Sequence, residues 1–166
     1  GMVFLMAVFS YVFLWSRRPE LWIPPPPAAW LALVVALQAA AAGLAAAAAR
    51  TARRERGFAL WPPMLYGGAA LAACAAWGVD FATWRAAGLR PDASSQGATI
   101  FALLSWQGVM TATVVVMAGF LAARAWRGHL HPARTSTVDL VSLFAAYVGA
   151  QGAAGASIVR LFPEIG

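Results

Sequence analysis

Apolar residues fall into five runs, Met2–Trp15, Ala28–Ala49, Met64–Trp84, Thr99–Trp126 and Val138–Leu161, separated by short clusters of Arg or Pro. A helix crossing about 30 Å of hydrocarbon needs about 20 residues at roughly 1.5 Å each. The last four runs meet this. The pattern predicts an all-α chain: a polytopic membrane bundle of five transmembrane helices over about 2–16, 28–49, 64–86, 99–126 and 137–161, in one membrane domain spanning 1–166. The first run makes only about 21 Å of helix. It starts at Gly1 with no polar anchor ahead of it, so it reads as the end of a longer, truncated helix. No basic region precedes it, and no cleavable signal peptide is recognisable.

The connectors sharpen this picture. Glu20–Pro27 reads ELWIPPPP. Four prolines in a row lack donors and fix φ, so they make a stiff extended strut. Trp22 and Trp30 flank it, as suits the head-group layer. Arg50–Arg56 (RTARRER) reads as a charged turn, and Trp61-Pro62-Pro63 restarts a helix, where Pro is tolerated. Leu89–Gly97 and Arg127–Thr137 read as polar loops, the second ending in Ser136-Thr137 as an N-cap for the fifth helix.

Composition agrees with a lipid environment. Hydrophobic residues make up 61% of the 166 and charged residues 11%, whereas soluble domains carry about 25% charged residues. The formal charge is +6, and every basic residue is Arg. The arginines flank apolar runs and have no folded polar face to sit on, which excludes a nucleic-acid partner and points to anionic lipid head groups. One side of the predicted topology carries Arg50, Arg53, Arg54, Arg56, Arg124, Arg127 and Arg134; the other carries Arg17, Arg18, Arg85, Arg90 and Arg160. The denser side is expected in the cytoplasm, which puts the N-terminus inside and the C-terminus outside a bacterial-type inner membrane.

Candidate chemistry is sparse. His129 and His131 lie in a loop with no zinc spacing, and haem needs His at membrane depth, so no cofactor or metal is expected in this chain. The lone Cys74 reads as a small buried packing residue. Asp80 is the one acid expected at depth, with Arg85 or a partner subunit as its counter-charge. Asp139 opens the fifth helix, where a carboxylate suits the dipole. The neutral polar residues Gln38, Ser105, Gln107, Thr111, Thr113, Ser142 and Gln151 are expected to bond helix to helix at about 0.6 kcal/mol each. Gly149, Gly152 and Gly155 give the fifth helix a face of small residues, suited either to internal packing or to docking another subunit. The alanine tracts at 39–42 and 45–49 read as close packing. No catalytic residue set can be assembled from this inventory.

Read in order, several segments resemble subunit III of the haem–copper (cytochrome c or quinol) oxidases in its five-helix form. MVFLMAVFSYVFLW looks like the helix that follows the family's acidic signature, and LWIPPPP like its Trp-Pro-Pro-Pro connector. FATWRAAGLRPDASSQGATIFALLSWQG is similar to its helix–loop–helix, and TSTVDLVSLFAAYV to the start of its last helix, with Asp139 in place of Glu. The resemblance implies a non-catalytic accessory subunit of a respiratory chain, bound to phospholipids and to oxidase subunits I and II, with haem and copper held by the partner. Asp80, Gln107, Asp139, Gly149, Gln151, Gly152 and Gly155 are then candidate subunit or lipid contacts. The chain departs from the family at Gln107 and Met110, which stand for its two His, and at Ala145, Ala146 and Gly149, which stand for its Trp-His and Asp. An accessory protein of a nitric oxide reductase, the C-terminal part of a fused subunit I–III, and a stand-alone transporter or membrane enzyme are the alternatives.

Overall fold

Each apolar run folds into a helix, and each helix is longer than the run that predicts it. The computed structural model describes residues 1–17, 22–54, 61–127 and 136–165. Among them lie α1 (Met2–Arg17), α2 (Ala28–Arg54), α3 (Trp61–Ala86), α4 (Ser95–Trp126) and α5 (Ser136–Ile165), and no strand. Helices α2 to α5 are long and apolar enough to cross a membrane, while α1 is a shorter apolar helix. This architecture is that of a multi-pass helical membrane protein.

The extensions have local causes. Arginine is nearly as good a helix former as alanine, so α2 runs on through Arg50 to Arg54 instead of turning at Ala49. Residues 55–60 lie outside the described part of the chain, as do His129 and His131 and the loop around them. At the start of α3, Pro62 and Pro63 occupy the first turn, where their missing N–H groups cost nothing. Helix α4 starts at Ser95, four residues earlier than the apolar run, because Ser94 caps it: its extended backbone (φ −155°) lets the hydroxyl accept from Gly97 N at 3.0 Å. Ser136 and Thr137, expected as a cap, are already inside α5. That helix also continues past Leu161 and carries Pro163 in its last turn.

The buried positions form seams spaced alternately three and four residues apart. On α2 the seam runs Val34, Gln38, Ala41, Ala45 and Ala48, with Ala49 buried beside it; on α3 it runs Tyr66, Ala69, Ala73, Ala76, Asp80 and Thr83, with Trp84 beside it. This spacing keeps one narrow stripe facing its neighbours, and small residues let the backbones approach. Helix α2 packs most extensively on α3 and α5; α4 closes the ring against α3 and α5; α1 lies outside, against α4 and α5. One end of the bundle therefore holds the α2 C-terminus and the α5 N-terminus, while the shorter α1 begins at mid-depth, with Gly1 beside Tyr147 of α5. The other end holds the proline connector and the α3–α4 loop.

Two apolar cores fill the ring. Near the first end, Ala45, Ala48, Ala69, Val114, Ala118, Leu121, Val141 and Val148 pack with Tyr66 in a layer dominated by small side chains. Near the other end, Tyr11, Trp84, Leu89, Ile100, Phe101, Leu104 and Val159 make an aromatic-rich layer. The polar residues of the seams lie between and beside these cores.

Two connections fix the second end. Helix α3 stops where Gly88 takes φ +83°, a left-handed conformation that lacks the Cβ penalty in glycine, and Leu89 N bonds back to Trp84 O at 3.2 Å. The side-chain amide of Gln96 then mimics a backbone unit. Its Oε1 accepts from Ile23 N at 2.8 Å, and its Nε2 donates to Ile23 O at 2.9 Å. The proline connector is thereby fastened to the first turn of α4. Gly97 sits directly against this loop: a Cβ there would lie 1.9 Å from Arg90 O.

Candidate functional site

The polar chemistry of the interior begins with a buried ion pair. Asp80, on the α3 seam, accepts from Arg160 Nη2 of α5 at 2.7 Å, and the same nitrogen donates to Thr83 Oγ1 at 2.9 Å. Thr83 Oγ1 in turn donates to the Asp80 carbonyl one turn back, at 2.9 Å, which fixes its rotamer. The guanidinium carbon lies 5.7 Å from the centroid of the Trp84 ring, within cation–π range. One carboxylate, one hydroxyl and one aromatic face from a single stretch of α3 thus surround a cation from α5.

This arrangement corrects two expectations. Asp80 does not pair with Arg85. Positions five apart on a helix point about 140° away from each other at 3.6 residues per turn, and Arg85 is exposed. Nor is Arg160 a membrane-flank charge: it is almost fully buried. The signal for Arg160 was present in the sequence. Ala145, Val148, Gly152 and Ala156 mark a three–four stripe on α5 whose next step reaches Val159 and Arg160.

A second group gathers around Gly152, where the side-chain amides of Gln38, Gln107 and Gln151 converge. Gln107 Nε2 donates to Val148 O at 3.1 Å, and Gln151 Nε2 donates to Gln107 Oε1 at 3.4 Å. A Cβ on residue 152 would come within 2.5 Å of Gln38 Nε2 and 2.6 Å of Gln107 Nε2. Glycine is what makes room for both amides. Gly149 and Gly155 also serve contacts within the chain: a Cβ on the first would meet Gln38 O at 3.0 Å, and one on the second the Phe4 ring at 3.2 Å. Of the two uses open to the glycine face of α5, internal packing is the one the structure displays.

Other sequence expectations divide by face. Thr111 is buried, but Ser105 and Thr113 point outward, and the Thr113 hydroxyl returns to Val109 O of its own helix. Cys74, expected inside, is exposed on α3. Asp139 does more than face the α5 dipole: Arg53 of α2 binds it through Nε at 3.1 Å and through Nη2. Three aromatic residues that the sequence did not single out tie helices together through main-chain carbonyls. Tyr11 Oη donates to Val159 O at 2.8 Å, Trp77 Nε1 to Leu104 O at 2.8 Å, and Tyr66 Oη to Val138 O at 3.3 Å. Their signal was a polar tip on an otherwise apolar ring, which seeks a partner when buried.

Among the described residues no three His, Cys, Asp or Glu side chains group as a metal site. The geometry defines a helical membrane bundle with an internal polar layer. No known protein family, curated protein or solved structure matches the chain.

Proposed function

We propose that this chain is a non-catalytic accessory subunit, resembling subunit III, of a respiratory haem–copper terminal oxidase, seated in a bacterial inner membrane with its N-terminus in the cytoplasm. The reading rests on the order of its sequence motifs. The observation that supports it best is the meeting of two of them: the connector after α1 and the first turn of α4 come together through the double hydrogen bond between Ile23 and Gln96. In this reading haem and copper belong to the partner subunit I. Helix α1 is the contact element, because Met2, Leu5, Met6, Phe9 and Phe13 leave a continuous apolar surface exposed. Phospholipids cover what the partner does not.

Purification of the chain from its native membrane in mild detergent tests the proposal. The expected result is a co-migrating haem-containing subunit and oxygen consumption by the complex. A stable haem-free monomer overturns it. A haem partner that reduces nitric oxide instead moves the same accessory role to the alternative complex, and a covalently continuous partner identifies the end of a fused subunit I–III.

A further inference from the structure

Asp80 and Trp84 of α3, Gln107 of α4 and Gln151 of α5 line a common cavity of about 30 Å³, with Phe4 of α1 and apolar residues of α4 and α5 making up the rest of its wall. That exceeds the roughly 10–15 Å³ of such space that a single water needs. Cavities of purely apolar lining stay dry; those with several polar partners hold water. This one has a carboxylate, two carboxamides and an indole N–H within its lining.

Two of those groups are unsatisfied. Gln151 Oε1, an acceptor, and Trp84 Nε1, a donor, are buried and have no hydrogen-bond partner among the described residues. The residues are 5% and 1% exposed, so neither atom reaches bulk solvent. Leaving a buried donor or acceptor unpaired costs about 1–3 kcal/mol each, and native interiors rarely carry such a cost without a partner. The Asp80 carboxylate has further acceptor capacity, since the Arg160 contact occupies one lone pair of the several an ionised carboxylate offers.

We propose that this cavity is a resident water site, with Gln151 Oε1 and the Asp80 carboxylate as acceptors and the Trp84 indole N–H as donor. Water there extends the polar layer from the Asp80–Arg160 pair toward the glutamines around Gly152. It gives the pair a partner of high polarity inside an apolar bundle. The site is independent of what the chain assembles with.

An experimental structure of the whole protein, in its native assembly and at a resolution that shows ordered water, tests this. The expected result is discrete density in the cavity within hydrogen-bond distance of Trp84 Nε1 or Gln151 Oε1. A cavity without density, or continuous tubular density from an acyl chain, overturns the proposal. Gln151→Met keeps the length and removes the acceptor, so density next to position 151 should vanish while the Asp80–Arg160 contact persists. Unchanged density in that variant overturns the role given to Gln151. If Gln151→Met does not fold, the native structure decides alone.

Discussion

At the start of α5, Asp139 meets Arg53 of α2; near its other end, Arg160 meets Asp80 of α3. The chemistry of the two pairs is the same, and their surroundings are opposite. The Arg53 and Asp139 side chains are 55% and 39% exposed, and those of Arg160 and Asp80 are 2% and 12% exposed. Two exposed charges attract each other weakly, because water and salt screen them and two side chains must be immobilised. Two buried charges have already lost their hydration, so each depends on the other and on further polar contacts. The bundle thus uses the same pair of residue types once at a polar surface and once as an obligatory unit of its interior. In an apolar surrounding the second use is the demanding one, since ionisable residues within spans are rare and almost always paired.

The largest expected effect follows from splitting the buried pair. Asp80→Ala or Arg160→Ala alone leaves one uncompensated charge and should cost about 3–5 kcal/mol. The double variant Asp80→Leu with Arg160→Met removes both charges and should recover most of that loss, because a buried pair is weak in net stability when both members go together. Unfolding free energies in detergent micelles measure both. If either single truncation costs less than about 1 kcal/mol, the buried pair behaves like the exposed one and the contrast fails.

A smaller effect isolates the third partner. Thr83→Val keeps the branched shape and removes the hydroxyl that accepts from Arg160 Nη2. A hydrogen bond to a charged group is worth about 1.5–3 kcal/mol, and the loss should fall in that range while the Asp80 contact persists. Arg160→Lys sharpens the point. A lysine nitrogen can replace the single Nη2 that meets the carboxylate and the hydroxyl, but not the planar guanidinium that lies over the Trp84 ring, so the substitution should not be silent.

The same contrast explains what was readable in the sequence. The existence of five helices was legible because apolar runs of that length have few other uses. Their ends were not, since Arg50, Ser95 and Gln96 are polar yet helix-compatible, and the hydropathy pattern stops where the side chains become polar rather than where the backbone turns. Inward and outward faces were equally hard to tell apart. In a helix that is apolar all round, the amphipathic signal disappears, and Cys74, Ser105 and Thr113 face outward where composition gave no reason to place them so. Asp80 was legible as an unusual residue, but its partner lies 80 positions away. Only tertiary packing, which sets the α5 seam against the α3 seam, brings Arg160 to it. Gly152 was recognised as a small-residue position; that its smallness admits two glutamine amides depends on α2 and α4 arriving at the same level.

The smallest expected effect belongs to the exposed pair, and it can be divided further. Arg53→Gln removes the cross-helix attraction, worth about 0–1 kcal/mol, and also a cation in the last turn of α2, where the helix dipole favours positive charge. Asp139→Asn removes that attraction and also a carboxylate in the first turn of α5, where the helix dipole favours negative charge by about 0.3–1 kcal/mol. The two variants should therefore cost the same to within a few tenths of a kcal/mol. Both losses should shrink as salt rises, because the Debye length falls from about 10 Å at 0.1 M to 3 Å at 1 M, whereas the cost of Asp80→Ala should hardly change. A salt titration of the four unfolding free energies tests this directly. Equal salt dependence at both ends of α5 would mean that water reaches Arg160, and that the interior pair is no more sheltered than the one at the surface.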